Sequence, residues 1–150
     1  MQTAIQVLTA FLGSLGFGLI FHLRNRHLVA AALGGMFIWI IYLIAVSAID
    51  GVFFPTLIAS AFSALYAEIM ARVQKAPATL YLITAVVPLI PGGSLYHTMS
   101  CAVRGEWGQF STYGMDTIQY ALGIAIGMSL VWAVYDMADR ILHRNHSEQK

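Results

Sequence analysis

Ser94, His97, Thr98 and Cys101 recur at i, i+3, i+4 and i+7, one face of a helix, directly after Val86-Val87-Pro88-Leu89-Ile90-Pro91-Gly92-Gly93. Two prolines remove two backbone donors and obstruct the preceding turn, and two glycines permit conformations a helix does not use, so a continuous helix is not expected here. A helix restarting near Ser94, with Ser94 as its N-cap, would present free amides over its first turn, a ready site for an anion. A carboxylate is the natural occupant. The candidate substrate-binding residues are therefore Pro88, Pro91, Gly92, Gly93, Ser94, His97 and Thr98. His97 and Cys101 at i, i+4 make a poor metal site without further ligands, and neither a metal nor a cofactor is expected.

Glu68 lies in an apolar run about one turn from its end, where an ionisable group is unfavourable unless paired or hydrated. It is the candidate for ion coupling. The other reading is an i, i+4 ion pair with Arg72, which the geometry favours, and Asp136 stands in the same relation to Arg140. No Ser-His-Asp set, no paired acids in one apolar run and no metal motif occurs, so enzymatic catalysis is not expected.

The elements that must position these residues follow from composition. Of the 150 residues, 59% are hydrophobic and 10% charged, against roughly 25% charged in an average soluble domain. The 8 Lys and Arg and 7 Asp and Glu cannot supply a polar shell for a soluble core. Lipid is the alternative solvent, and an all-α, polytopic membrane bundle is the expected fold. The net charge is +1 and no stretch interleaves basic and aromatic residues, which excludes a nucleic-acid partner. The single cysteine excludes an internal disulfide.

A spanning helix needs about 20 mostly apolar residues. Such runs extend from Thr3 to Phe21, Leu28 to Ile49, Val52 to Ala71 and Thr117 to Ala138, with the interrupted run from Ala76 to Val103 between the third and the last. This predicts about five transmembrane helices, the fourth broken. A polar loop is expected from Arg104 to Asp116. Residues 1–138 form a single transmembrane domain, and 139–150 form a short hydrophilic tail expected to fray. No Lys or Arg precedes the first run, so it reads as an uncleaved span rather than a secretory signal.

Positive charges orient the spans, since Lys and Arg are retained on the cytoplasmic side. With the N-terminus outside, Arg24, Arg26, Arg72, Lys75, Arg140, Arg144 and Lys150 fall inside, and Arg104 alone falls outside. An even number of spans would break that pattern. Trp107, Phe110 and Tyr113 in the outer loop, with Trp132 and Tyr135 near the inner end of the last span, fit interfacial anchoring or ordinary packing.

Helix association in lipid relies on close backbone approach and polar contacts, which favours small residues four apart. Ser14 and Gly18, Ala31 and Gly35, Ser60 and Ala64, and Gly123 and Gly127 all have that spacing and predict a compact bundle. Gly13, Gly16 and Gly18, with Gly34 and Gly35, would also keep two adjacent helices thin enough to leave room for a partner or a pathway. Ala76 to Ile90 makes about 22 Å of helix, short of a hydrocarbon core of about 30 Å, so the break is expected inside the membrane. Backbone groups freed at that depth need burial by protein or a polar cavity, an arrangement that transporters use. A plain outer turn followed by an interfacial amphipathic helix is the other reading of the same stretch.

At these residues the sequence resembles the threonine/serine exporter family, in particular the small split subunit that corresponds to the C-terminal half of the fused transporter. The resemblance is carried by Leu15-Gly16-Phe17-Gly18-Leu19-Ile20-Phe21, by the second span with Gly34-Gly35, and above all by Ala85-Val86-Val87-Pro88-Leu89-Ile90-Pro91-Gly92-Gly93-Ser94-Leu95-Tyr96. It implies export of a small carboxylate-bearing metabolite, threonine or serine in some members and dicarboxylates in others, driven by an ion gradient across a prokaryotic cytoplasmic (inner) membrane. It also implies a second five-span membrane subunit as partner, which, since five spans is odd, could sit in the opposite orientation as an inverted repeat. The alternative function is a non-transporting assembly or stabilising subunit.

Overall fold

In the computed structural model of the protein, which describes residues 2–147 and side chains as far as 137, the chain is helical almost throughout. The elements are α1 (Gln2–Ile20), α2 (Asn25–Ala48), α3 (Phe53–Gln74), α4 (Ala78–Val86), a 3-10 turn (Val87–Leu89), α5 (Gly92–Arg104) and α6 (Trp107–Ser147). Leu, Ile, Val and Phe side chains such as Leu8, Ile44, Phe62, Ile83 and Leu130 are exposed, whereas Ala31, Ala32, Ala59, Ser60, Ala64 and Ala85 are fully buried. Small residues inside and large apolar ones outside is the packing that lipid as solvent demands.

Three helix ends close with one device. Leu23 N–H donates to Gly18 O (3.0 Å), Ala76 N–H to Ala71 O (3.1 Å) and Glu106 N–H to Cys101 O (2.9 Å). Each is the long bond of a Schellman motif, and His22, Lys75 and Gly105 take the positive φ that it requires. The polar turns are consequently short. His27 at the start of α2 sits with its Nδ1 2.7 Å from Gln74 Oε1 and 2.6 Å from the buried Tyr81 hydroxyl, which joins α2, α3 and α4 at the end that carries Arg24, Arg26 and Lys75.

The small-residue pairs make the close approaches expected of them. A Cβ on Gly18 would come within 2.6 Å of Leu28, one on Gly35 would collide with Ser14, and one on Gly127 would come within 2.5 Å of the Leu57 carbonyl. Ser60 Oγ donates to the Gly123 carbonyl at 3.0 Å, a polar bond between α3 and α6. Gly13 and Gly16 instead face open space.

Gly123 lies against Phe53, Thr56 and Leu57, Gly127 against Leu57, Ser60 and Ala61, and the ring of Tyr135 beneath Arg72. Residue numbers rise together along both helices, so α3 and α6 run parallel. Parallel order means that the α4–α5 pair carries the chain from the Gln74 end of α3 back to its Phe53 end. The pair bends by 51° at the break, and it makes one crossing rather than a hairpin that returns to the same side. Among the described residues α1, α2, α3 and α6 are each long and apolar enough to cross a membrane, and the bent pair taken as one span makes five.

Two expectations are corrected here. The segment 104–116 is not a polar loop, because α6 starts at Trp107 and only Gly105 and Glu106 separate it from α5. Packing on α5 overrides its two glycines and its polar residues: a Cβ on Gly114 would lie 3.6 Å from the Thr98 side chain, in ordinary contact. Nor does a frayed tail begin at 139, since α6 continues to Ser147.

Candidate functional site

Pro88 is packed at mid-height in the bundle. Its Cγ lies 3.5 Å from where a Cβ on Gly35 would stand, and Gly35, halfway along α2, faces Ser14 of α1. Leu89 is buried with Ile38, Tyr42, Ala59 and Ala85. The break thus opens among the middles of the surrounding helices and not at their ends.

Beyond the 3-10 turn the chain bonds only to itself. Ile90 N–H donates to Val87 O (3.2 Å), Gly92 N–H to Ile90 O (2.7 Å) and Leu95 N–H to Pro91 O (3.0 Å). The Gly93 and Ser94 amides have no acceptor, and the Pro88 and Leu89 carbonyls no donor, among the described residues. Helix ends carry partial charge of opposite sign, positive at the amides and negative at the carbonyls. Both kinds of end therefore border one gap.

That gap is a cavity of about 200 Å³ lined by residues 88–94 together with Trp39, Tyr42 and Tyr120. The Tyr42 and Tyr120 hydroxyls are 2.7 Å apart, and Trp39 stacks on Tyr42 with centroids 5.1 Å apart. One hydroxyl hydrogen is used within the tyrosine pair, and the other is free for a ligand. Among the described residues no charged side chain lines the cavity. Its chemistry is that of paired backbone poles inside an aromatic cup.

The candidate residues divide at this point. Pro88, Pro91, Gly92, Gly93 and Ser94 line the cavity. His97 does not; its ring is stacked on Tyr113 at 5.1 Å. Thr98 Oγ1 donates to the Ser94 carbonyl at 2.8 Å and lies 3.5 Å from Thr117 Oγ1, so it faces α6. Cys101 is buried against the same helix, 3.9 Å from Gln109 Oε1. The polar face of α5 is a packing surface beyond its first turn.

Ser94 is not the N-cap. Pro91 holds that position with no side-chain cap, because α5 begins three residues earlier than a Ser94 cap would start it. Gly92 and Gly93 take helical and not left-handed backbone, and a Cβ on either would meet nothing within 4 Å. Packing does not require them to be glycine; bare backbone lets a ligand reach the amides.

Glu68 lies elsewhere, in a cleft of about 390 Å³ between α3 and α6 with Arg72, Trp132, Tyr135 and Asp136. Among the described residues it forms no ion pair with Arg72, whose guanidinium instead lies over the Tyr135 ring, 4.8 Å from its centroid. The cation is drawn to the ring face, which leaves Glu68 open to other partners. The Asp136–Arg140 pair involves a side chain outside the described residues.

Trp39, Tyr42 and Tyr120 were not legible as site residues. They belong to helices far apart in the chain, and aromatic residues in a span ordinarily signal packing or interfacial anchoring.

Among known proteins, the family model described as Threonine/Serine exporter, ThrE, matches residues 6–134. No curated protein and no solved structure matches the chain. The matched segment covers most of the sequence and includes the break, both helices that supply its aromatic wall, and the α3–α6 contact. The chain belongs to the threonine/serine exporter family.

Proposed function

We propose that this chain is one half of a secondary exporter of small α-amino acids, and that the amino acid is held in the cavity at the α4–α5 break. The observation that carries this reading is the pairing of free amides at Gly93 and Ser94 with free carbonyls at Pro88 and Leu89 around one gap. A substrate carboxylate suits the first pole and its ammonium the second. Half-helix ends are used in this way at transporter midplanes.

The lining favours an amino acid over a dicarboxylate. With no charged side chain around the cavity among the described residues, a zwitterion enters with its two charges mutually compensated, whereas a dicarboxylate brings two uncompensated negative charges out of water. A cavity of about 200 Å³ also suits a metabolite of serine or threonine size.

The chain holds one broken helix, and α1 leaves Gly13 and Gly16 on an open face. Both features support a second membrane subunit that supplies the remaining spans. Glu68, unpaired with Arg72, is the site proposed for the coupling ion. The charge distribution supports an inner-membrane placement with the N-terminus outside.

The test is uptake of labelled L-threonine and succinate into vesicles carrying this protein and its partner subunit. Threonine should be transported and succinate should not. Gly93→Val, which places a branched side chain at a position where an added Cβ meets nothing within 4 Å, should abolish transport at normal protein levels. His97→Ala should leave it largely intact. Normal transport by Gly93→Val would make this chain an assembly subunit instead.

A further inference from the structure

Beside the parallel contact of α3 and α6 runs a groove of about 350 Å³, lined by Phe62, Leu65, Leu130, Val134 and Tyr135, with the small Ala61 among them. Its exposed lining is wholly apolar. Tyr135 also lines the cleft of about 390 Å³ that holds Glu68, Arg72 and Trp132. The two spaces therefore meet at one ring, and the apolar groove leads into the charged cleft toward the Arg72 end of α3. From Ala61, near the middle of α3, to Arg72 is about 16 Å of helix, close to half of a hydrocarbon core of about 30 Å. Groove and cleft together have the reach of one leaflet.

An apolar face toward lipid is expected of any span and selects nothing by itself. The charges at the end of this groove do select. The Arg72 guanidinium lies over the Tyr135 ring, 4.8 Å from its centroid, which holds the cation at the mouth of the groove. Held by a ring face, it keeps N–H groups for an anion, and its planar fork matches a phosphate. Glu68, which among the described residues forms no ion pair with Arg72, is unfavourable at this depth unless a cation, water or a proton compensates it. The cleft is thus complementary to a phosphate and an ammonium carried together at the head of an acyl chain.

We infer that the α3–α6 groove binds one phospholipid with a primary-amine headgroup, drawn from the leaflet on the Arg72 side. An acyl chain lies along Phe62, Leu65, Leu130 and Val134, the phosphate accepts from Arg72, and the ammonium donates to Glu68. A phosphoglycerol headgroup would satisfy Arg72 but bring no cation to Glu68. A trimethylammonium headgroup would bring a cation with no N–H to donate. The inference does not rest on the amino-acid reading; it gives the Glu68 cleft a second cation, so that a coupling ion and the lipid ammonium would compete there.

The experiment is native mass spectrometry of the full chain from detergent micelles holding equal amounts of dioleoyl phosphatidylethanolamine, phosphatidylglycerol and phosphatidylcholine. One phosphatidylethanolamine should stay bound in preference to the other two. Arg72→Gln should lower that adduct about tenfold, as the loss of a charge-assisted bond does. Val134→Trp, at an exposed position in the groove, should fill it and remove the adduct, whereas Ile44→Trp, equally exposed on α2, should not.

Equal retention of the three lipids overturns the headgroup assignment. An adduct that survives Val134→Trp overturns the groove as its site, and so does equal retention of glycerophosphoethanolamine, which has the headgroup but no acyl chain. If Arg72→Gln fails to fold, the lipid preference of the native chain and the Val134→Trp variant decide. None of these outcomes bears on the amino acid at the break, which transport alone reads.

Discussion

At the scale of single residues, identity matters where backbones meet. Gly127 sits against the Leu57 carbonyl and Ser60, so a methyl group there must move backbone. Gly127→Ala should destabilise the protein by about 1–3 kcal/mol, read as a lowered midpoint in detergent unfolding. Gly13 has nothing within 4 Å of its Cβ position, and Gly13→Ala should be neutral or stabilising by up to ~1 kcal/mol through helix propensity. Equal effects at the two positions would contradict the α3–α6 contact described here. The four-residue spacing made Gly127 visible in the sequence, but only three dimensions distinguish it from Gly13. Spacing places a glycine on a face; it does not say whether another helix covers that face.

At the scale of elements, the break is what separates α4 and α5 from an ordinary span. Its place was legible because proline and glycine act locally on the backbone. The start of α5 was not, since a serine that could cap is overridden by Pro91 two residues before the expected end of the gap. The helical character of residues 107–116 was hidden for a related reason. Their polarity reads as loop, while the contacts with Thr98 and Cys101 that make them a helix come from another element. Replacing both Pro88 and Pro91 by Ala should extend α4 through the gap and satisfy the free amides. Threonine transport should fall on the order of tenfold or more, with unchanged abundance in the membrane. Normal transport in that variant would show that the break is dispensable.

At the scale of the molecule, α3 lies at the centre, flanked by α2, α4 and α6, and five spans would put α1 and the end of α6 on opposite sides of the membrane. Lys75 closes α3 at the end that carries Arg24 and Arg26, and Glu106 marks the turn at the other end. In a Cys101→Ser background, Glu106→Cys should react with a membrane-impermeant maleimide in intact cells. Lys75→Cys should react only after permeabilisation. The reverse pattern would invert the orientation, and labelling of both in intact cells would break the five-span topology.

The sequence by itself determined that this chain lives in lipid, that it crosses about five times, and that its fourth crossing cannot be one helix. Those properties depend on hydropathy, charge and backbone chemistry, which are local and need no partner to be expressed. Tertiary structure alone decided that α3 and α6 run parallel, that His97 and Thr98 face a helix rather than a cavity, and that Trp39, Tyr42 and Tyr120 wall the gap at Pro88 to Ser94. These are relations between segments distant in the chain, set by which small residues let which backbones approach, and no single segment encodes them.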